Sequence, residues 1–137
     1  MSDSDEELRG VLMRLARLIR YNRAEGEIGD TQLTVLFHLD IRGPLAPSDL
    51  AALEHVTPPS MNRALNGLEE RGYITRSRSE EDARKVVVEL TDAARDLLDE
   101  TRRVRTAWFA RRLSDLTPEE RASLDAVLPV LRKLATE

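Results

Sequence analysis

The side chains best suited to chemistry gather between residues 57 and 85. They are Thr57, Pro59, Ser60, Asn62, Arg63 and Asn66, followed by Arg76, Arg78, Asp82, Arg84 and Lys85. Guanidinium forks hold phosphates and the O6/N7 edge of guanine. Amide side chains pair with adenine or reach bases through water. This is recognition chemistry. Catalytic patterns do not emerge: the chain shows no Gly-rich phosphate loop and no nucleophile elbow. It has no cysteine, so no thiol nucleophile, disulfide or zinc–thiolate site. Its two histidines, His38 and His55, form no compact cluster with carboxylates that predicts a metal ligand set. The acidic pairs Glu6-Glu7, Glu69-Glu70, Glu80-Glu81 and Glu119-Glu120 read as solvated or capping groups. Neither an enzyme, a metal nor a cofactor is expected.

These groups need elements to position them. Thr57 suits a helix N-cap, because its hydroxyl can accept from an orphan amide of the first turn. Pro58 suits the first helical position, having no amide to leave unpaired. Gly72 suits the residue just past the end. At about 100° per residue, Met61, Leu65 and Leu68 share one stripe of this helix. Pro59, Asn62, Arg63 and Asn66 then lie opposite, with Ser60 on the flank, near first-turn amides that favour a phosphate. A polar helix face alone is ordinary solvated surface; the turn before it and the hairpin after it set this one apart. Residues 73–79 and 85–90 read as two short strands around a polar tip. Alternation puts Arg76 and Arg78 on one face. Arg84 falls at the tip, suited to a narrow minor groove. There, either Asp82 orients Arg84 or the tip is a plain charged turn.

The remaining segments complete a pattern. Residues 6–25 form an amphipathic helix with Leu8, Val11, Leu12, Leu15, Leu18 and Ile19 on one face, ended by Gly26 and Gly29. Asp30 or Thr31 caps a helix reaching about Ile41, stopped by Arg42-Gly-Pro. A short helix spans Ser48 to His55. Thr91-Asp begins a long helix to about Leu113. Thr117-Pro-Glu-Glu is a capping box for a last helix to about Ala135, which Pro129 should bend. His38 is expected to satisfy an interior hydrogen bond, and His55 to lie near solvent or DNA. The fold class is mainly α with a small β-hairpin: a winged helix-turn-helix flanked by N- and C-terminal helices. The flanking helices carry more apolar surface than one small winged domain covers, so they are expected to pack across a two-fold axis.

Length and composition agree. The 137 residues are 41% hydrophobic, 34% charged and 4% aromatic, which suits one helix-rich structural unit and argues against disorder. No run of about 18 apolar residues predicts a membrane span. The acidic start does not read as a signal peptide, and the absence of cysteine suits a cytoplasmic location. The net charge is −4, and residues 55–90 balance six basic against six acidic groups. That balance motivates a competing reading: a winged-helix protein-interaction module that does not bind DNA.

Residues 31–95 resemble the MarR family (multiple-antibiotic-resistance-type regulators). The likeness rests on Leu50-Ala51, on Val56-Thr57-Pro58-Pro59-Ser60-Met61-Asn62-Arg63, and on Leu68-Glu69-Glu70-Arg71-Gly72-Tyr73-Ile74. It continues through Asp82-Ala83-Arg84-Lys85 and Val88-Glu89-Leu90-Thr91. Ala94 stands where the family usually has glycine. The resemblance implies a DNA-binding region at 31–91 and a helical dimerisation region at 1–30 and 92–137. It implies a homodimeric transcriptional regulator, a repressor, reading a pseudo-palindromic site on double-stranded DNA. Two major-groove helices would lie about 34 Å apart, with Arg84, held by Asp82, in the minor groove. It also implies a small aromatic or phenolic effector. Met13, Arg17, Tyr21, Phe37 and Trp108 are the candidates to line its site, with core or interface packing as the competing role of each.

Overall fold

The computed structural model describes residues 2–26 and 28–136. Its elements are α1 (Asp3–Tyr21), α2 (Asp30–Arg42), α3 (Pro47–Glu54), α4 (Pro58–Glu70), β1 (Ile74–Arg78), β2 (Val86–Leu90), α5 (Asp92–Ser114) and α6 (Pro118–Leu134). Order and type match the expected winged helix-turn-helix with flanking helices. Contacts divide the chain into two units, residues 24–102 and residues 1–23 with 103–137.

The 24–102 unit is built on an apolar core. Leu33, Val35, Leu36 and Leu39 of α2 meet Leu50 and Ala51 of α3 and Met61, Leu65 and Leu68 of α4. Ile74 and Val88 add the hairpin. Ile28, Ala94 and Leu98 belong to the same core, which makes this unit wider than the 31–91 span. Ala94 is fully buried, so a methyl group fills space there. Thr101 is the one buried polar side chain among the described residues, and its Oγ1 accepts from the Ala24 amide at 3.3 Å.

The hairpin is antiparallel, pairing Ile74 with Leu90 through Arg78 with Val86. A third partner was not expected. Leu45 bridges Val88, donating to its carbonyl at 3.2 Å and accepting from its amide at 2.8 Å. The Gly43 turn delivers this residue: Gly43 has φ 80° and closes α2 by donating to Leu39 at 2.9 Å. Left-handed backbone of this kind suits a residue without Cβ.

Three boundaries differ from expectation. Helix α1 starts at Asp3, because Ser2 and Asp5 form a capping box. Hydrogen bonds from the Ser2 amide, then its hydroxyl, hold the Asp5 carboxyl below its usual range. The same helix ends at Tyr21, well before Gly26 and Gly29. Asn22 Nδ2 turns back onto the Leu18 carbonyl at 2.8 Å, and Arg105 donates to the Asn22 and Arg20 carbonyls at 3.0 and 3.3 Å. Finally, Gly29 caps α2 in place of Asp30 or Thr31. Gln32 Oε1 accepts from the Gly29 amide at 2.9 Å, and Gln32 Nε2 donates to the Ala64 carbonyl of α4 at 3.2 Å.

The other unit holds α1, α6 and the end of α5. Thr117 and Glu120 form the expected capping box, at 3.1 and 2.9 Å. Helix α6 continues through Pro129 to Leu134. Neither α1 nor α6 has a buried residue, although both carry apolar stripes. Leu8, Val11, Leu12, Leu15 and Leu18 are exposed on α1, as are Leu124, Leu128 and Leu134 on α6.

Candidate nucleic-acid interface

Helix α4 is held at both ends by local chemistry. Thr57 Oγ1 accepts from the Ser60 amide at 3.2 Å, and Pro58 and Pro59 open the first turn. Gly72, at φ 79°, donates to the Glu69 carbonyl at 3.0 Å. Between these ends Met61, Leu65 and Leu68 are buried, while Thr57, Pro59, Asn62, Arg63 and Asn66 are exposed. Ser60 is half-buried on the flank. The fixed inner stripe sets the rotation of the helix, and with it the direction of the polar face.

The wing tip is ordered by its own side chains. Ser79 Oγ accepts from the Glu81 and Asp82 amides at 3.2 and 3.4 Å. The Ser79 amide donates to the Lys85 carbonyl at 2.8 Å, and the Lys85 amide donates to the Asp82 carbonyl at 2.9 Å. Asp82 Oδ1 accepts from the Arg84 amide at 3.0 Å and from Arg84 Nε at 3.4 Å. The Arg84 side chain remains 92% exposed, so its ion pair with Asp82 adds little stability. Its effect is geometric: the carboxylate orders the loop that projects the guanidinium. Of the two readings of the tip, this arrangement matches Asp82 as a brace. Lys85 is exposed beside it.

Arg76 and Arg78 part company. Arg78 is exposed, and its Nη1 donates to the Ala83 carbonyl at 2.7 Å, spanning the hairpin loop. Arg76 is only 23% exposed and folds against α4. Its Nη2 and Nε donate to the two carboxylate oxygens of Glu69 at 3.2 and 3.4 Å, and Nη2 also donates to Asn66 Oδ1. Glu69 therefore ties helix to strand, a role beyond the solvation expected of its acidic pair. A groove beside this brace is lined by Asn62, Glu69, Arg76, Arg78 and Val86, among others.

The histidines separate as expected. His38 is half-buried, with Nε2 2.7 Å from Glu54 Oε1 and Nδ1 2.8 Å from Arg42 Nη1. A guanidinium only donates, so Nδ1 accepts and Nε2 carries the proton toward Glu54. His55 is exposed and left-handed at φ 54°, ending α3.

The effector candidates each have their own surroundings. Met13 lines a shallow groove along α1 with Leu8, Leu12 and Ala16, and its sulfur lies 3.6 Å from Arg9 Nη1. Arg17 is exposed, and Tyr21 is 84% exposed. Trp108 sits under the Arg112 guanidinium at 5.0 Å, its ring centroid 6.4 Å from that of Phe109. Phe37, in the 24–102 unit, lies under Arg102 at 5.3 Å, and Arg102 also pairs with Asp40.

Leu45, Ser79 and Glu69 were missed by sequence reasoning. Leu45 gave no signal, being a single extended residue between a glycine turn and a helix. Ser79 and Glu69 sit inside recognised stretches, but their partners depend on where the hairpin returns.

A capped helix with a polar outer face, a preceding short helix and an arginine-tipped hairpin define a winged helix-turn-helix protein. Comparison with known proteins narrows this class. The MarR family model matches residues 28–86. An HTH-type transcriptional regulator of Mycobacterium tuberculosis is 33% identical over 141 residues, spanning 100% of this chain and 99% of its own. The HTH-type transcriptional repressor MdtR of Bacillus subtilis is 29% identical over 120 residues, spanning 88% of this chain and 77% of its own. Among solved structures, the YusO protein of Bacillus subtilis superposes with a TM-score of 0.74 at 27% identity, covering 98% of this chain and 100% of that one. The chain belongs to the MarR family of HTH-type transcriptional regulators. These relatives are regulators, not enzymes. No helix among the described residues is long and apolar enough to cross a membrane.

Proposed function

We propose that this regulator binds double-stranded DNA as a homodimer and represses transcription from a pseudo-palindromic operator. The observation that carries the reading is the outer face of α4. Asn62 and Arg63 are exposed on a helix whose rotation is fixed by its core stripe, and they have no protein partner among the described residues. Arg63 suits a guanine or a phosphate, Asn62 a base edge, and Thr57, Pro59 and Ser60 the backbone beside the helix start. On the wing, Arg84 suits the minor groove, with Arg78 and Lys85 near the flanking phosphates. Residues 31–91 form the DNA-binding region, and residues 1–30 and 92–137 the dimerisation region.

The dimer reading rests on α1 and α6. Leu8, Leu12, Leu15, Leu124 and Leu128 would sit in water in a lone chain. Burying apolar area is worth about 25 cal/mol per Å², so a second copy is the economical cover. Repression is favoured by the likeness to MdtR, which is named a repressor. A small aromatic or phenolic effector is the proposed ligand class, with Met13, Arg17, Tyr21 and Trp108 its candidate contacts in one unit and Phe37 a candidate in the other. A cytoplasmic location follows from the regulatory role.

The test is titration of random-sequence duplex DNA at about 50 and 200 mM salt. Six or more phosphate contacts should cost about three orders of magnitude in affinity between them. Absence of binding at the lower salt would favour a protein-interaction module, the reading that the charge balance of residues 55–90 supports.

A further inference from the structure

We infer that Arg76 is a positioning residue that fixes which base Asn66 can read. The inference rests on DNA binding through α4. Asn66 lies on the outer face of that helix, one turn beyond Asn62 and Arg63. Its Oδ1 accepts from Arg76 Nη2. A guanidinium has five donors and no acceptor, so the amide must turn its oxygen to Arg76. Arg76 is held in place by both oxygens of Glu69 and is mostly covered. The amide nitrogen of Asn66, with no protein acceptor among the described residues, is then the group on offer.

This orientation changes the readout. A free asparagine reads adenine in two bonds, donating to N7 and accepting from the N6 amino group. With its oxygen turned toward Arg76, Asn66 presents its amino donors on the side facing away from that guanidinium. In the major groove, guanine offers two adjacent acceptors, O6 and N7, and thymine offers O4. Cytosine offers only a donor, and adenine sets a donor beside its acceptor. The position beneath Asn66 should therefore be guanine or thymine, not adenine or cytosine. The preference should be about threefold to tenfold, the worth of one ordinary hydrogen bond.

The experiment is selection of bound sequences from a random duplex library by the full-length protein and its variants. Asn66→Ala identifies the dependent position by flattening preference there alone. At that position the wild type should select guanine or thymine. Arg76→Ala should release the amide and shift the same position toward adenine, leaving the positions set by Asn62 and Arg63 unchanged. Asn66→Asp keeps an acceptor for Arg76, so folding is preserved, but it removes the donors; the position should move to cytosine, with lower affinity at every sequence. A merely structural Arg76 would lower thermal stability and affinity without moving a single position. That result, or adenine at the Asn66 position in both wild type and Arg76→Ala, overturns the inference. Selection of no sequence by the wild type would instead overturn the DNA-binding reading beneath it.

Discussion

Arg84 and Arg63 are both arginines on the candidate interface, yet their removal should be told apart by its pattern. Arg84 extends from a braced tip with most of its surface in solvent. Arg84→Ala should weaken binding across all sequences and lower the salt slope by about one, as loss of a phosphate-type contact does. Gel-shift titrations at several salt concentrations measure both; unchanged operator affinity would count heavily against the wing. Arg63→Ala should cost about 1–3 kcal/mol on the preferred site and relax selectivity at one position, if its fork meets guanine. Competition between matched and mismatched duplexes reads that difference. The exposed placement of both residues was legible in the sequence, because each sits at a fixed offset from a local marker: Thr57-Pro58 for Arg63 and Asp82 for Arg84. The turning of Arg76 onto Glu69 was not legible. Strand alternation assigns a face but not a partner, and the partner lies across the Gly72 turn.

At the scale of elements, the chain reads well where an element is closed by its own residues. Helix α4 and the α6 capping box are both bounded by Thr-Pro starts, and both occur as expected. Where closure comes from elsewhere, local signals mislead. Asn22 and Arg105 end α1 before its glycines are reached, and Gln32 makes Gly29 the cap of α2. The Leu45 bridge is invisible for the same reason, since both of its hydrogen bonds go to Val88, far along the chain. Two predictions belong here. Thr101→Val keeps the shape of a buried side chain but strips the acceptor from the Ala24 amide. It should destabilise by about 1–3 kcal/mol, the cost of an unsatisfied buried donor, measurable by urea unfolding. Thr57→Ala removes the α4 cap and should cost about 1 kcal/mol. Operator affinity should fall as well, because the helix start that it frays carries Ser60 and the free amides. Unchanged unfolding midpoints for both variants would contradict this account of how the elements are held.

For the whole molecule, the informative contrast lies between its two units. The 24–102 unit contains the apolar core and can be argued from its own packing. Helices α1 and α6 have no fully buried residue in the single chain, yet both carry regular apolar stripes. Sequence periodicity shows that such a face must be covered, but not by what. Leu12→Glu on α1 places a charge where a dimer would exclude water. It should convert a dimer to monomer in analytical ultracentrifugation and weaken operator binding. A dimer unaffected by that substitution would remove α1 from the interface. The overall charge of −4 adds no attraction toward DNA, so affinity must come from where the arginines are placed. The most direct measurement is therefore a salt-dependent titration of duplex DNA with stoichiometry read by sedimentation. Two protomers should occupy one duplex, with affinity falling by about three orders of magnitude from 50 to 200 mM salt. A folded protein that leaves the duplex free at the lower salt, or that binds it as one protomer alone, would contradict the paired-helix reading.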